Sequence, residues 1–144
     1  MTTYSLNEGT FELPVSGWQD NTMNVFRDPV TQHSLVINRG RIQPGRIDLL
    51  GEMTAQIEPL RGVATGVTVG EFSPVRLDNA PGYEALETTL TFVRDKLSYY
   101  QFQLSVLQND KENILVFTYT SLLPFTEADH CCWNKLKHSI SLTD

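Results

Sequence analysis

Cysteine is almost missing from this sequence. It occurs twice in 144 residues, at Cys131 and Cys132, side by side. Adjacent cysteines fall outside the usual disulfide separations, so a disulfide-stapled scaffold is excluded and two free thiols remain. That usage fits a reducing compartment. Positive charge is also short. Lys and Arg number 11 against 17 Asp and Glu, for a formal net charge of −6. A phosphate backbone or an anionic membrane rewards clustered cations, so neither is an expected partner. Long apolar runs are absent too: no stretch reaches the roughly 18–20 apolar residues of a membrane helix. The opening "MTTYSLNEGTFELP" lacks the basic and apolar regions of a secretory signal. The expectation is a soluble, cytoplasmic protein with no metal, no other cofactor and no phosphate-cradling glycine motif.

What remains has globular composition, 40% apolar and 19% charged. With no repeat, low-complexity tract or linker, residues 1–144 are expected to form a single domain. A chain of this size buries roughly 68–70% of its unfolded surface, enough for a core without staples. "EGTFELPVSGW" reads as a short strand, Thr10 to Leu13, stopped by Pro14 and Gly17. "TMNVFRDP" and "SLVINRGRI" alternate with period two and suggest a hairpin. Leu49, Leu50, Met53, Ile57 and Leu60 recur at helical spacing, predicting a helix from about Ile47 to Glu58, closed by Pro59 and Gly62. "VTVGEFSPVRLD" holds one or two short strands. Three long strands follow: Tyr83 to Arg94, Leu97 to Leu107 and Asn113 to Leu122. A final helix begins near Pro124, with Thr126 as N-cap and Glu127 and Asp129 in its first turn. Consecutive hairpins imply a mainly antiparallel sheet. The fold class is α+β: a twisted sheet of six or seven strands with two helices packed on one face.

Candidate chemistry is thin. On a helix His130 and His138 lie about 12 Å apart along the axis, and Cys131 and Cys132 diverge, so "HCCW" does not converge as a zinc site requires. The plainer assignment is a core stripe of Cys132, Leu136 and Ile140. A Cys–His nucleophile needs contact, and only His33 lies outside the last helix, with nothing in the sequence to bring it near. Arg39, Arg41 and Arg46 in "RGRIQPGR" form either an anion-holding turn or a solvated basic patch. Asp48 and Glu52 suit the first turn of a helix without further purpose. An enzyme is not expected.

The uncharged strand faces are more informative. Gln101, Gln103 and Ser105 share one face of the middle strand with Leu97, Tyr99 and Leu107. Thr89 and Thr91 lie with Ala85, Glu87 and Val93, and Thr118 and Thr120 with Ile114, Val116 and Leu122. If these three faces adjoin, they form a surface of Thr, Gln, Ser and aliphatic residues whose only charge is Glu87. Threonine is a good strand former, so a simply solvated sheet also fits. A solvated face, however, normally carries Lys and Glu. A surface that receives apolar helices needs aliphatic area and uncharged hydrogen-bonding groups, because full charges are costly to desolvate. Helices inside membranes associate through such groups. Gln56 and Leu60 on the first helix are placed at the edge of the same groove.

The ordered set Tyr4, Asn7-Glu8-Gly9, Leu13-Pro14, Gly17-Trp18, Asp20 and Ser34 to Arg39, followed by helix, long hairpins and final helix, resembles the DcrB-like family with its PsbP-like fold. More narrowly it resembles the Eag (effector-associated gene) chaperones of bacterial type VI secretion. The resemblance implies a homodimeric cytoplasmic chaperone that binds the N-terminal transmembrane segments of a secreted effector and holds them soluble until loading. The groove residues expected to bind that partner are Gln101, Gln103, Ser105, Thr89, Thr91, Thr118, Thr120, Val116, Gln56 and Leu60. The alternative is a carrier of a small apolar ligand in a sheet–helix pocket.

Overall fold

A computed structural model of the chain describes residues 3–13, 21–42, 48–80 and 82–142. Pro14, Gly17, Trp18, Asp20, Arg46 and Ile47 lie outside them.

The architecture is α+β. A short hairpin pairs β1 (Thr3–Ser5) with β2 (Thr10–Glu12). The main sheet holds β3 (Asn24–Arg27), β4 (Ser34–Arg41), β5 (Thr65–Val69), β6 (Ser73–Pro74), β7 (Ala85–Arg94), β8 (Leu97–Leu107) and β9 (Asn113–Ser121). Its order is β3-β4-β9-β8-β7-β5, with β6 also paired to β7, and every pairing is antiparallel. β1 was not anticipated; three residues are too few to show a period.

The turn between β7 and β8 fixes the register of the centre. Asp95 and Lys96 take φ of 50° and 68°, the left-handed pair that a two-residue hairpin requires. Arg94 therefore faces Leu97, and each odd residue of β7 stands opposite an even residue of β8. At the other end Asp110 accepts backbone hydrogen bonds from Glu112 and Asn113 and holds the β8–β9 turn closed.

Helix α1 (Leu49–Ile57) starts at Asp48, whose carboxylate accepts from Gly51 N at 2.8 Å, and runs into a 3₁₀ turn at Glu58–Gly62. Leu49 and Met53 pack on Leu107, Ile114 and Val116, and Ile57 packs on Leu90 and Phe92. Helix α2 (Glu127–Ser139) starts at Thr126 in a reciprocal capping box with Asp129. Its Trp133 stacks 5.3 Å from Phe102, and with Ile140 it joins a core containing Leu104, Val106 and Tyr119.

Phe102, Leu104 and Val106 alternate along β8 with Ser105 and Leu107, so α1 and α2 cover opposite faces of the sheet. Two helices on one face is thus corrected. Both faces of the central strands carry enough apolar area to need a cover, and each helix supplies one. The predicted stripe Cys132–Leu136–Ile140 is corrected as well: both cysteines are exposed, and the indole of Trp133 takes the central position. A helix face can bury only one of two adjacent residues, and the larger apolar one wins.

Candidate functional site

The face under α1 can be read row by row from the register. One row runs Val25, Val36, Thr118, Gln103, Thr88 across β3, β4, β9, β8 and β7. The next runs Arg27, Ser34, Thr120, Gln101, Leu90, and ends on Val69 of β5. A third carries Asn38, Val116, Ser105 and Leu86. Helix α1 and the 3₁₀ turn cover the third row and the β7 end of the others. Gln101, Gln103, Thr118 and Thr120 remain half-buried, and Val25 at the sheet edge is 58% exposed. The result is a partly covered strip of sheet between α1 and β3, the candidate groove. Its central rows hold amide, hydroxyl and aliphatic groups; Arg27 stands at the β3 rim, and on the α1 side the buried Glu52 carboxylate is hydrogen-bonded by Gln56.

Of the predicted residues, the structure brings together Gln101, Gln103, Ser105, Val116, Thr118 and Thr120. Gln101 Nε2 donates to Thr120 Oγ1 at 3.1 Å. Ser105 is buried, and its hydroxyl is left without a hydrogen-bond partner. Gln56 is exposed on α1, its amide donating to Glu52 at 3.2 Å, and it stands over Gly40 of β4 beside the groove. Leu60 packs with Ile57, Leu90 and Phe92 at the groove's far side.

Thr89 and Thr91 do not join them. Thr89 pairs with Phe102 and Thr91 with Tyr100, so both point to the α2 face. The reason is the two-residue turn, which matches odd with even across the hairpin. Thr88, which the sequence reading passed over, takes their place: it lies opposite Gln103, is buried, and donates its hydroxyl to Gly70 O at 2.9 Å. Gly70 has no Cβ for a reason, because one placed there would sit 2.5 Å from Thr89 Oγ1. Glu87 also leaves the groove. On the α2 face it accepts from Lys137 Nζ at 2.7 Å and Trp133 Nε1 at 3.1 Å. The groove side of β7 between Leu86 and Phe92 is therefore uncharged, more so than the sequence pairing implied.

Nothing in the sequence brings His33 near the last helix, yet the structure does so. His33 Nδ1 lies 3.0 Å from Tyr119 Oη and 3.3 Å from Asp129 Oδ1, and Tyr119 Oη donates to Asp129 at 3.0 Å. Burial raises the Tyr119 hydroxyl, and the carboxylate beside it raises it further. Burial would also raise Asp129, but hydrogen bonds from Thr126 and Tyr119, with His33 nearby, outweigh that and hold the carboxyl below its ordinary value. Asp129 also anchors the capping box, so the cluster ties the start of α2 to β4 and β9. Among the described residues no three His, Cys, Asp or Glu side chains group as a metal site would require. Of the arginine turn, Arg39 donates to Thr22 O and Asn24 Oδ1, and Arg41 pairs with Glu112 at 3.0 Å.

The fold and groove define a class: an antiparallel sheet between two helices, with a partly open strip of amide, hydroxyl and aliphatic side chains beside the first. The family follows from comparison. The DcrB family model matches residues 8–139, and the chain belongs to that family. The crystal structure of PA94 from Pseudomonas aeruginosa, described as a protein of unknown function, is similar to it. That match has a TM-score of 0.72 at 20% identity and covers 100% of this chain and 98% of that one, a likeness of fold. No curated protein matches the chain. No helix among the described residues is long and apolar enough to cross a membrane.

Proposed function

We propose that this protein is a cytoplasmic, homodimeric chaperone, without enzymatic activity, for the N-terminal transmembrane helices of a type VI secretion effector. It shields those helices before the effector is loaded and exported. The observation that carries the reading is the row Val25, Val36, Thr118, Gln103, Thr88, half-open and free of charge. Aliphatic area offsets the exposure of an apolar helix to water. Amide and hydroxyl groups meet the Ser, Thr and Asn side chains that such helices carry, without a charge to desolvate. Membership of the DcrB family and the resemblance of the opening residues to Eag chaperones support the same reading. An open row suits an extended helix better than the enclosed pocket a small apolar ligand prefers.

The test is co-expression with the apolar N-terminal segment of a type VI secretion effector, sought first among the genes adjacent to this protein's own. Gln103→Glu keeps the size and adds a charge, and a buried unpaired carboxylate against an apolar helix costs several kcal/mol. The expected result is a folded protein that no longer co-purifies with the segment. Undiminished capture by a folded Gln103→Glu protein would remove the groove from consideration.

A further inference from the structure

A cavity of about 620 Å³ opens where β4 leaves the sheet, beside the β8–β9 turn and the end of α2. It is separate from the groove rows of Gln101 and Gln103. Its volume lies within the range of small-ligand sites, roughly 300–1,000 Å³. Its wall has two zones. Leu115 and Leu142 form an apolar part. Arg39, Arg41 and Gln108 bring donors to the same space.

Three observations define the ligand. Gln108 Nε2 is buried and has no hydrogen-bond partner, so an acceptor is missing there. Among the described residues no acidic side chain lines the cavity. The two guanidinium groups are not equivalent: Arg41 is compensated by Glu112, whereas Arg39 donates only to the neutral Thr22 O and Asn24 Oδ1 and has no acidic partner among the described residues. Asp110, the other nearby acid, is engaged by Glu112 N and Asn113 within its own turn. One uncompensated positive charge and one free amide donor beside an apolar wall match a single planar anion with a hydrocarbon body.

We propose that this cavity binds a small organic carboxylate. Arg39 and the Gln108 amide take the carboxylate oxygens, and the aliphatic part lies against Leu115 and Leu142. The site does not depend on the chaperone reading.

Calorimetric titration of the full chain with hexanoate, hexanamide and hexyl phosphate tests it. Hexanoate should bind saturably, and neutral hexanamide at least about tenfold more weakly. The dianionic phosphate should also bind more weakly than hexanoate. Arg39→Gln should weaken hexanoate at least about tenfold and leave hexanamide unchanged. Gln108→Leu removes an unsatisfied amide, so it should fold and also weaken hexanoate; it decides the matter if Arg39→Gln fails to fold. Gln103→Glu, which tests the groove, should leave hexanoate binding intact. No saturable hexanoate binding, tighter binding of hexyl phosphate, or indifference to both substitutions would overturn the proposal.

Discussion

Single residues in this sheet differ in consequence by the side of the pleat they occupy. Ser105 and Thr89 are both small and polar, yet Ser105 is sealed under α1 with its hydroxyl unpaired, whereas Thr89 is exposed on the other face. An unmade buried hydrogen bond costs about 1–3 kcal/mol, so Ser105→Ala should leave stability unchanged or raise it. Chemical denaturation showing a loss above about 1 kcal/mol would mean that the hydroxyl has a partner. Thr89→Lys brings a cation toward Glu87 on the α2 side. It should alter stability by no more than about 0.5 kcal/mol and leave capture of an apolar segment unaffected. If Thr89→Lys abolished capture as Gln103→Glu is expected to, the binding surface would lie on the α2 face.

At the scale of elements, the first turn of α2 is tied to the sheet by the capping box and the His33–Tyr119–Asp129 cluster. Thr126→Ala breaks the capping box and should lower stability by about 1 kcal/mol, read as a lower urea midpoint with an unchanged slope. Asp129 makes this attachment pH-dependent. Its folded pKa is depressed, so its contribution is present above the unfolded value of about 3.8 and is lost as pH falls through the folded value. Asp129→Asn has no such group to titrate. Stability measured from neutral to acid pH should therefore fall less steeply for the variant than for the wild type below about pH 5. Parallel acid limbs would show that the His33–Tyr119–Asp129 cluster does not couple α2 to protonation. The helix itself was legible: Thr126, Glu127 and Asp129 announce its start, and the box forms. The partners of Asp129 were not, because His33 lies 96 positions upstream in sequence and meets it only through the pairing of β4 with β9.

At the scale of the whole molecule, the chaperone reading carries an expectation of assembly. Light scattering at micromolar concentration should give a mass near that of two chains; a mass near 16.3 kDa would count against the homodimer. The outer edge of the sheet at β3, with Val25 and Phe26 exposed at 58% and 56%, is one surface that such pairing would cover.

Sequence alone determined the types of the longer elements, because period two and period 3.6 are properties of local backbone geometry and survive without knowledge of neighbours. It also determined that Gln101, Gln103 and Ser105 share a face, and Thr118, Thr120 and Val116 another, since the pleat requires it. Which of those faces adjoin was decided by strand register. The Asp95-Lys96 turn contained that information: two residues between strands match odd with even, which puts Thr88 rather than Thr89 opposite Gln103. The side taken by each helix was a tertiary decision. Both faces of β8 are apolar at some point along its length, so its pattern alone favours neither, and only the packing of Leu49 and Met53 on one face and Trp133 on the other assigned them. The groove exists because α1 covers part of a face and leaves the rest, and that partial cover follows from where a nine-residue helix ends across a seven-stranded sheet.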